Sequence, residues 1–171
     1  KINLTIKKKV FVYADLQYRT VKFVLDGIDS KLRDVAQTHT FHFFNPKLGV
    51  TYNINDKHRM YLALAISNRE PNGNNFADAD PAGPAPVREN MFNTELGYTF
   101  SSKYVTTSFN GYFMYYNNQL VLTGEINDVG YAIMSNVPKS YRAGIELSRA
   151  ALLFKHLTWN LNASFSQNKI I

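Results

Sequence analysis

The sequence predicts an all-β protein whose antiparallel, up-and-down strands form the wall of a transmembrane barrel. Three features predict it: apolar and polar residues alternate with a period of two, the alternating runs are long, and short connections alternate with long ones. A period of two sends successive side chains to opposite faces of a strand, whereas a helix would scatter both sets around its circumference.

The clearest alternating run lies near the end of the chain. Its apolar face is formed by Leu157, Trp159, Leu161, Ala163 and Phe165, and every residue between them is Thr, Asn or Ser. Six similar runs begin near residues 10, 47, 59, 95, 105 and 142. After residue 18 the phase shifts, because the apolar residues 21, 23 and 25 are odd-numbered. A β-bulge would explain this shift, and so would a strand that leaves its buried zone.

The length of these runs favours a membrane protein. We expect about seven full strands, most of roughly nine to thirteen residues, and a partial strand at residues 2–6. Soluble strands usually have about five or six residues, whereas a tilted strand needs about nine to eleven to cross a bilayer. The mean hydropathy of −0.26 is no objection, because only every second residue of such a strand faces lipid.

The connections between the runs alternate in length. Short ones are expected at residues 7–9, 53–57, 101–103 and 154–156, and long ones at 26–40, 68–90 and 117–140. Residues 119–122 are a candidate strand within the last of these. Outer-membrane barrels have this asymmetry, with short periplasmic turns and long outer loops. Aromatic residues near both kinds of connection suit interfacial girdles: Tyr112, Phe113, Tyr115 and Tyr116 near a long loop, and Tyr98, Phe100, Tyr104 and Trp159 near short turns.

Composition and motifs indicate a protein that is not an enzyme. Cysteine is absent, and no nucleophile elbow, phosphate-binding loop or metalloprotease motif occurs. The net charge of +6 has no clustering on one element beyond Lys7, Lys8 and Lys9, so no nucleic-acid partner is expected. His39 and His42 are three residues apart, so on a strand they would lie on opposite faces and do not have the spacing of metal ligands. We predict no cofactor and no metal site.

Five runs of the sequence resemble TonB-dependent receptors, particularly those of Bacteroidetes-type bacteria. They are residues 13–19, 43–50, 68–72, 93–98 and 136–147, which include the sequences Phe-Asn-Pro-Lys and Gly-Ile-Glu-Leu in the family's order. The resemblance implies part of a large barrel of about twenty-two strands with a plugged lumen. Residues 1–171 would then be one internal barrel segment without the N-terminal plug, since Ile171 also differs from the family's terminal aromatic residue.

The resemblance also implies a function for the whole protein. Such a receptor would lie in the outer membrane of a Gram-negative cell and bind a scarce solute, such as a siderophore-bound iron chelate or cobalamin. Import to the periplasm would use energy that TonB transmits through the plug region. The expected partners are therefore outer-membrane lipid, TonB and a small-molecule ligand, and the resemblance allows a surface lipoprotein as a further partner.

Within this segment the resemblance implies two groups of functional residues. The long connection at 68–90 would face outside and bind ligand, and its candidate residues are Arg69, Asn74, Asn75, Asp78 and Asp80. Alternation places another group on the face that would line the lumen: Arg59, Tyr61, Glu95, Asn110, Arg142 and Glu146. Asp78 and Asp80 also present hard oxygen atoms that suit Ca²⁺, but the turn preference of Asp-Pro explains this pattern as well.

Two other readings of the sequence remain open. A small, self-contained outer-membrane barrel of eight strands would have a structural or adhesion role. A soluble lipocalin-like or sandwich binding module would point its apolar faces inward, and it should have shorter strands and less regular connections.

Overall fold

The computed structural model describes residues 1–28, 32, 34–77, 79, 84–126, 130 and 132–171. These residues form one antiparallel sheet of eight strands in chain order, with one short helix. The elements are β1 (Ile2–Ile6), β2 (Val10–Leu25), β3 (Gln37–Asn53), β4 (His58–Arg69), α1 (Gly73–Ala77), β5 (Glu89–Ser101), β6 (Val105–Ile126), β7 (Ala132–Phe154) and β8 (Leu157–Ile170). The predicted all-β, up-and-down fold is confirmed. Among the described residues, no helix is long and apolar enough to span a bilayer.

The strand register sorts side chains onto two faces. One row of cross-strand neighbours runs through all eight strands: Leu4, Val12, Val50, Leu62, Leu96, Gly111, Ile145 and Phe165. We call the face that carries this row the apolar face, and the opposite one the polar face. Phe165 is 80% exposed and Leu96 is 55% exposed. An apolar surface this extensive suits lipid better than water.

The sheet is open. β1 pairs with β2 and β8 pairs with β7, but β1 and β8, which are both fully described, do not pair with each other. Each therefore has one edge of backbone groups without a neighbouring strand. This arrangement is not the closed eight-stranded barrel that the sequence alone had left open.

Two kinds of connection define the two ends of the sheet. The short-turn end has the turns at residues 7–9, 54–57, 102–104 and 155–156, and the long-loop end has the connections at 26–36, 70–88 and 127–131. The prediction of a long connection at 117–140 is wrong, because β6 and β7 continue as strands of 22 and 23 residues. Residues 119–122 are strand, but as part of β6. At about 3.3 Å per residue these strands extend well beyond a hydrocarbon core of about 30 Å.

The phase shift in β2 is not a bulge. β2 pairs with β3 without interruption from Val10 opposite Tyr52 to Leu25 opposite Gln37. Val21, Phe23 and Leu25 therefore lie on the polar face, where the strand approaches the long-loop end. Before the shift, the apolar side chains of β2 lie on the apolar face, and after it they lie on the polar face. The explanation that the strand leaves its buried zone is therefore correct.

The small core of the segment lies on the polar face at the long-loop end. Phe43 is fully buried there, its ring stacks on that of Phe41 at 5.8 Å, and the Arg19 guanidinium lies 4.9 Å from the ring centre of Phe43. Tyr112 and Tyr116 are on this face too, opposite Gly144 and Ser140. Their prediction as members of a lipid girdle is wrong, because it used position along the strand and ignored the phase.

Candidate functional site

The sheet places all six residues of the predicted lumenal group on the polar face. Three of them form a chain of hydrogen bonds across β4, β6 and β7: the Tyr61 hydroxyl donates to Asn110 Oδ1 at 2.9 Å, and Asn110 Nδ2 donates to Glu146 Oε2 at 3.3 Å. Tyr61 reaches past β5 because its cross-strand partner there is Gly97, and a Cβ at Gly97 would overlap the tyrosine ring.

The other three members lie at different heights of the same face. Glu95 accepts a hydrogen bond from Asn93 Nδ2 at 2.7 Å. The Arg142 guanidinium lies 5.4 Å from the centre of the Tyr116 ring near the long-loop end. Arg59 is at the short-turn end, opposite Asn53 and Thr99. The structure therefore pairs neither of these arginines with Glu95 or Glu146.

One ion pair joins the two ends of the connection between β4 and β5. Arg69 and Glu89 are cross-strand partners, and Arg69 Nε lies 3.1 Å from Glu89 Oε1. Glu89 also accepts a hydrogen bond from the backbone N–H of Leu120 at 3.0 Å. Arg69, a predicted ligand-binding residue, is thus part of the loop base, although its side chain stays 60% exposed.

The loop then turns inward over the polar face. Glu70 receives two hydrogen bonds from the Arg19 guanidinium, at 3.2 and 2.5 Å, and Pro71 after it is fully buried. The rings of Phe76 and His39 stack with centres 4.1 Å apart, and Phe76 stacks on Phe23 at 5.9 Å. These contacts hold α1 against β2 and β3.

A reciprocal pair of hydrogen bonds forms the start of α1. The Asn72 N–H donates to Asn75 Oδ1 and the Asn75 N–H donates to Asn72 Oδ1, both at 2.9 Å, which satisfies donors that a helix start leaves open. Asn75 is thus buried and engaged, whereas Asn74 is exposed. Asp78 and Asp80 lie outside the described residues.

The second half of the loop is attached to β7. The Val87 N–H donates to Asn136 Oδ1 at 2.9 Å, and Asn136 Nδ2 donates to the Val87 carbonyl at 3.0 Å. Asn136 Nδ2 also donates to the Asn118 carbonyl at 2.7 Å. One asparagine side chain therefore joins the loop to the extension of β6 and β7.

Comparison with known protein families assigns the chain to one of them. The model of the family described as TonB dependent receptor-like, beta-barrel matches residues 5–169. This chain belongs to that family. The predicted resemblance to TonB-dependent receptors is therefore confirmed at the level of the family. The apolar and polar faces of the sheet are those of a segment of a large transmembrane barrel.

Solved structures share the fold at low identity. The ferric yersiniabactin uptake receptor FyuA from Yersinia pestis matches with a TM-score of 0.77 and 15% identity, over 99% of this chain and 26% of that one. The copper transporter OprC matches at 0.76 and 13%, over 98% and 27%. The FrpB iron transporter from Neisseria meningitidis matches at 0.70 and 16%, over 94% and 24%. The chain thus spans about a quarter of each. Comparison with curated proteins found no match.

Sequence reasoning missed several residues that shape this TonB-dependent receptor segment. Asn136, Glu70 and Phe76 hold the 70–88 loop in place, but none of them stood out in the sequence. Phe76 carried a usable signal, since it is a single aromatic residue in a polar stretch with Asn72 and Asn75 just before it. Within the described part of the chain, no group of three or more His, Cys, Asp or Glu side chains could hold a metal ion.

Proposed function

We propose that this chain is part of an outer-membrane receptor that binds a scarce solute and imports it to the periplasm with energy transmitted by TonB. Membership of the TonB-dependent receptor family carries the proposal. The candidate solutes are siderophore-bound iron, other iron chelates and cobalamin. Two of the matched structures are a copper transporter and an iron transporter, which supports a metal, carried in chelated form, as the cargo here.

In this proposal the polar face lines the lumen and the apolar face meets lipid. The Tyr61–Asn110–Glu146 chain offers hydroxyl, amide and carboxylate groups to the lumenal contents, and Arg59, Glu95 and Arg142 add charge at other heights. The plug and the TonB-contacting segment would be supplied by parts of the protein other than residues 1–171. No catalytic step is included.

The 70–88 loop is the proposed outer ligand-binding element of this segment. Of the five candidates, Asn74 is exposed, whereas Arg69 and Asn75 have partners in the loop base and in the helix cap. Asp78 and Asp80 complete the group. We expect Asn74, Asp78 and Asp80 to contact the solute directly and Arg69 and Asn75 to support the loop.

Uptake by whole cells tests the transport proposal. A strain lacking the gene should lose accumulation of one radiolabelled probe, either ⁵⁵Fe-siderophore complexes or labelled cobalamin, and a plasmid copy should restore it. Restored uptake should stop when a protonophore collapses the proton gradient. Unchanged accumulation of every probe in the deletion strain would contradict the proposal.

Fractionation separates this proposal from the two alternative readings. An antibody to residues 1–171 should detect, in isolated outer membranes, a denatured band several times larger than 19.5 kDa. A band near that mass would favour a small barrel with a structural or adhesion role. Signal only in the soluble fraction would favour a soluble binding module.

The loop assignment has its own test. Replacement of Asn74, Asp78 and Asp80 together by Ala should weaken binding of the transported solute to whole cells at 4 °C, without changing the amount of receptor at the surface. Replacement of the exposed loop residue Arg88 by Ala is the matched control, with the same amount of surface receptor and unchanged binding. Equal affinities of the triple variant and the control would remove these residues from the site.

A further inference from the structure

A cationic cavity lies at the short-turn end of the sheet. Its volume is about 660 Å³, and the charged residues that line it are Lys7, Lys8, Lys9, Lys57, Arg59 and Asp56. The first three form the turn between β1 and β2, and the others belong to the next short turn along the sheet and to the start of β4. The strand order thus brings together cations that are about fifty residues apart in the sequence.

The net charge of the chain is concentrated at this end. Lys103 and Lys155 of the remaining two short turns add to the five cations of the cavity, and so does Arg149 of β7, which lies at the height of His58 across Thr107 and Phe100. The short-turn end therefore carries eight cations and the single carboxylate of Asp56. The whole chain has 19 Lys and Arg against 13 Asp and Glu. The rest of the chain therefore has eleven cations and twelve carboxylates, so the net positive charge of the chain belongs to this end.

The lysine turn has a backbone conformation that lysine rarely adopts. Lys7 and Lys8 have φ angles of 48° and 57°, and the Lys9 N–H donates to the Ile6 carbonyl at 3.1 Å. Turns with two successive residues of positive φ favour Asn-Gly, because a side chain with a Cβ is disfavoured in this left-handed conformation. Lysines at strained positions in a turn that Asn-Gly would form more readily indicate a function for their charge.

The cavity opens on the polar face and not toward lipid. Arg59 is the cross-strand partner of Asn53 and Thr99, and all three line the cavity. The aromatic residues at the same height, Tyr98 and Phe100, lie on the apolar face, where lipid headgroups would be met. A volume of about 660 Å³ is also far larger than a small ion needs, since a water molecule occupies about 30 Å³.

We propose that this cavity binds an acidic segment of a second polypeptide at the short-turn end. Lysine ammonium groups and the Arg59 guanidinium would meet its carboxylates, and the amide and hydroxyl groups of Asn53, Asn55 and Thr99 would donate or accept further hydrogen bonds. The proposal rests on the proposed function only in placing this end on the periplasmic side of the membrane.

Peptide binding to the purified full-length receptor tests the proposal. The receptor is placed in phosphatidylcholine nanodiscs, and fluorescence anisotropy measures binding of a labelled octaglutamate peptide, with octaglutamine as its uncharged counterpart. Octaglutamate should bind and octaglutamine should not. The affinity should fall with added salt, because the attraction is between solvent-exposed charges.

Two variants separate the charge of the turn from its shape. Lys7→Asn with Lys8→Gly removes two charges and supplies the preferred turn residues, so the hairpin should form at least as well. Combined with Lys57→Gln and Arg59→Gln, this change should weaken octaglutamate binding by at least about fivefold. The control, Lys103→Gln with Lys155→Gln, removes two cations of the same end that do not line the cavity, as many as the lysine-turn change alone. The control should change binding by less than about twofold, and the lysine-turn change alone should weaken it more.

Three results would overturn the proposal. Octaglutamate could fail to bind more tightly than octaglutamine, or the control could lose as much affinity as the lysine-turn change alone, which would indicate a diffuse charge effect. Alternatively, the cavity variant could lower the phosphatidylglycerol that co-purifies with the receptor while leaving peptide binding unchanged, which would assign the cavity to lipid. Because none of these measurements requires transport, failure of solute uptake would contradict the proposed function alone.

Discussion

At the scale of single residues, tyrosines opposite glycines shape the polar face. Three cross-strand pairs follow this pattern: Tyr13 with Gly49, Tyr61 with Gly97, and Tyr112 with Gly144. In the second and third pairs the tyrosine ring occupies the space where a Cβ of the glycine would lie. The missing side chain lets the ring lie across the neighbouring strand, which is how Tyr61 reaches Asn110 two strands away.

Replacement of Gly97 by Ala should therefore destabilise the barrel. The new methyl group would overlap the Tyr61 ring, and the ring must move away from Asn110, at an expected cost of about 1–3 kcal/mol. Stability is measured as the temperature at which the folded band disappears from a semi-native gel. Gly111→Ala is the matched control, because its nearest neighbour would be a backbone oxygen at 3.9 Å, and its transition should not fall. Equal transitions for both variants would contradict the account of the Tyr–Gly pair.

Leu62 and Ala63 test the assignment of the two faces. Leu62 belongs to the row on the apolar face, and Leu62→Arg should cost roughly 2–4 kcal/mol if that row lies at mid-membrane. Ala63 is on the polar face directly opposite Glu95, so Ala63→Arg would gain an ionic partner and should assemble nearly as well as the parent. The amount of folded receptor in purified outer membranes measures both. Normal assembly of the Leu62 variant would show that this face does not meet lipid.

At the scale of elements, residues 70–77 and 84–88 of the connection between β4 and β5 are held by side chains of the barrel wall. α1 has only five residues, far fewer than an isolated helix needs to be stable in water. Its position depends on contacts at both ends of the loop: Phe76 is buried on the polar face, and Asn136 holds residue Val87. A few side chains of the barrel wall thus hold both described parts of this polar connection.

Loss of the Phe76 ring should release this loop. Phe76→Ala removes the stacking with His39 and Phe23, and we expect protease added to whole cells to cut within residues 70–88 faster than in the parent. Asn74→Ala, two residues earlier on the exposed side of α1, should leave the cleavage rate unchanged. A Phe76 variant that resists protease as well as the parent would show that α1 is held by other contacts.

At the scale of the whole molecule, the segment has an open sheet and an uneven charge. The outer edges of β1 and β8 lack a neighbouring strand, and unpaired backbone groups are costly in a bilayer. The net positive charge lies at the short-turn end, whereas the apolar packing lies at the long-loop end. Both properties are consistent with a wall segment that is completed by further strands.

Residues 1–171 expressed alone should therefore not refold as a stable barrel. With two open edges, the chain should aggregate or form mixed oligomers in detergent micelles, as measured by size-exclusion chromatography and by the absence of a heat-modifiable band. The full-length receptor, refolded in the same detergent, is the control. A heat-modifiable monomer of residues 1–171 would support the small-barrel alternative instead.

Much of the fold could be predicted because its main signal is local. The alternation that began at Leu157 predicted both faces of β8, and the same period located every other strand to within a few residues. The predicted connection at 117–140 was wrong, because outside the bilayer the side chains of β6 and β7 no longer alternate between lipid and lumen. Without that alternation, the extended strands resemble a polar loop.

The candidate site was less predictable. The sequence indicated which residues share the polar face, since this depends only on strand phase. It did not indicate that Asn75 would cap a helix with Asn72, or that Arg69 would pair with Glu89. Such partners are set by distances between side chains in the folded loop, and several of them are far apart in the chain.

The sequence by itself determined the class of barrel, the two faces of each strand and the family, because period-two alternation and family motifs are properties of neighbouring residues. Only the tertiary structure decided that Tyr61 crosses Gly97 to Asn110, that Phe76 anchors α1, and that the net positive charge lies at the short-turn end. These features depend on register and strand order. Both arise when strands pair across the sheet, and no local stretch of sequence encodes that pairing alone.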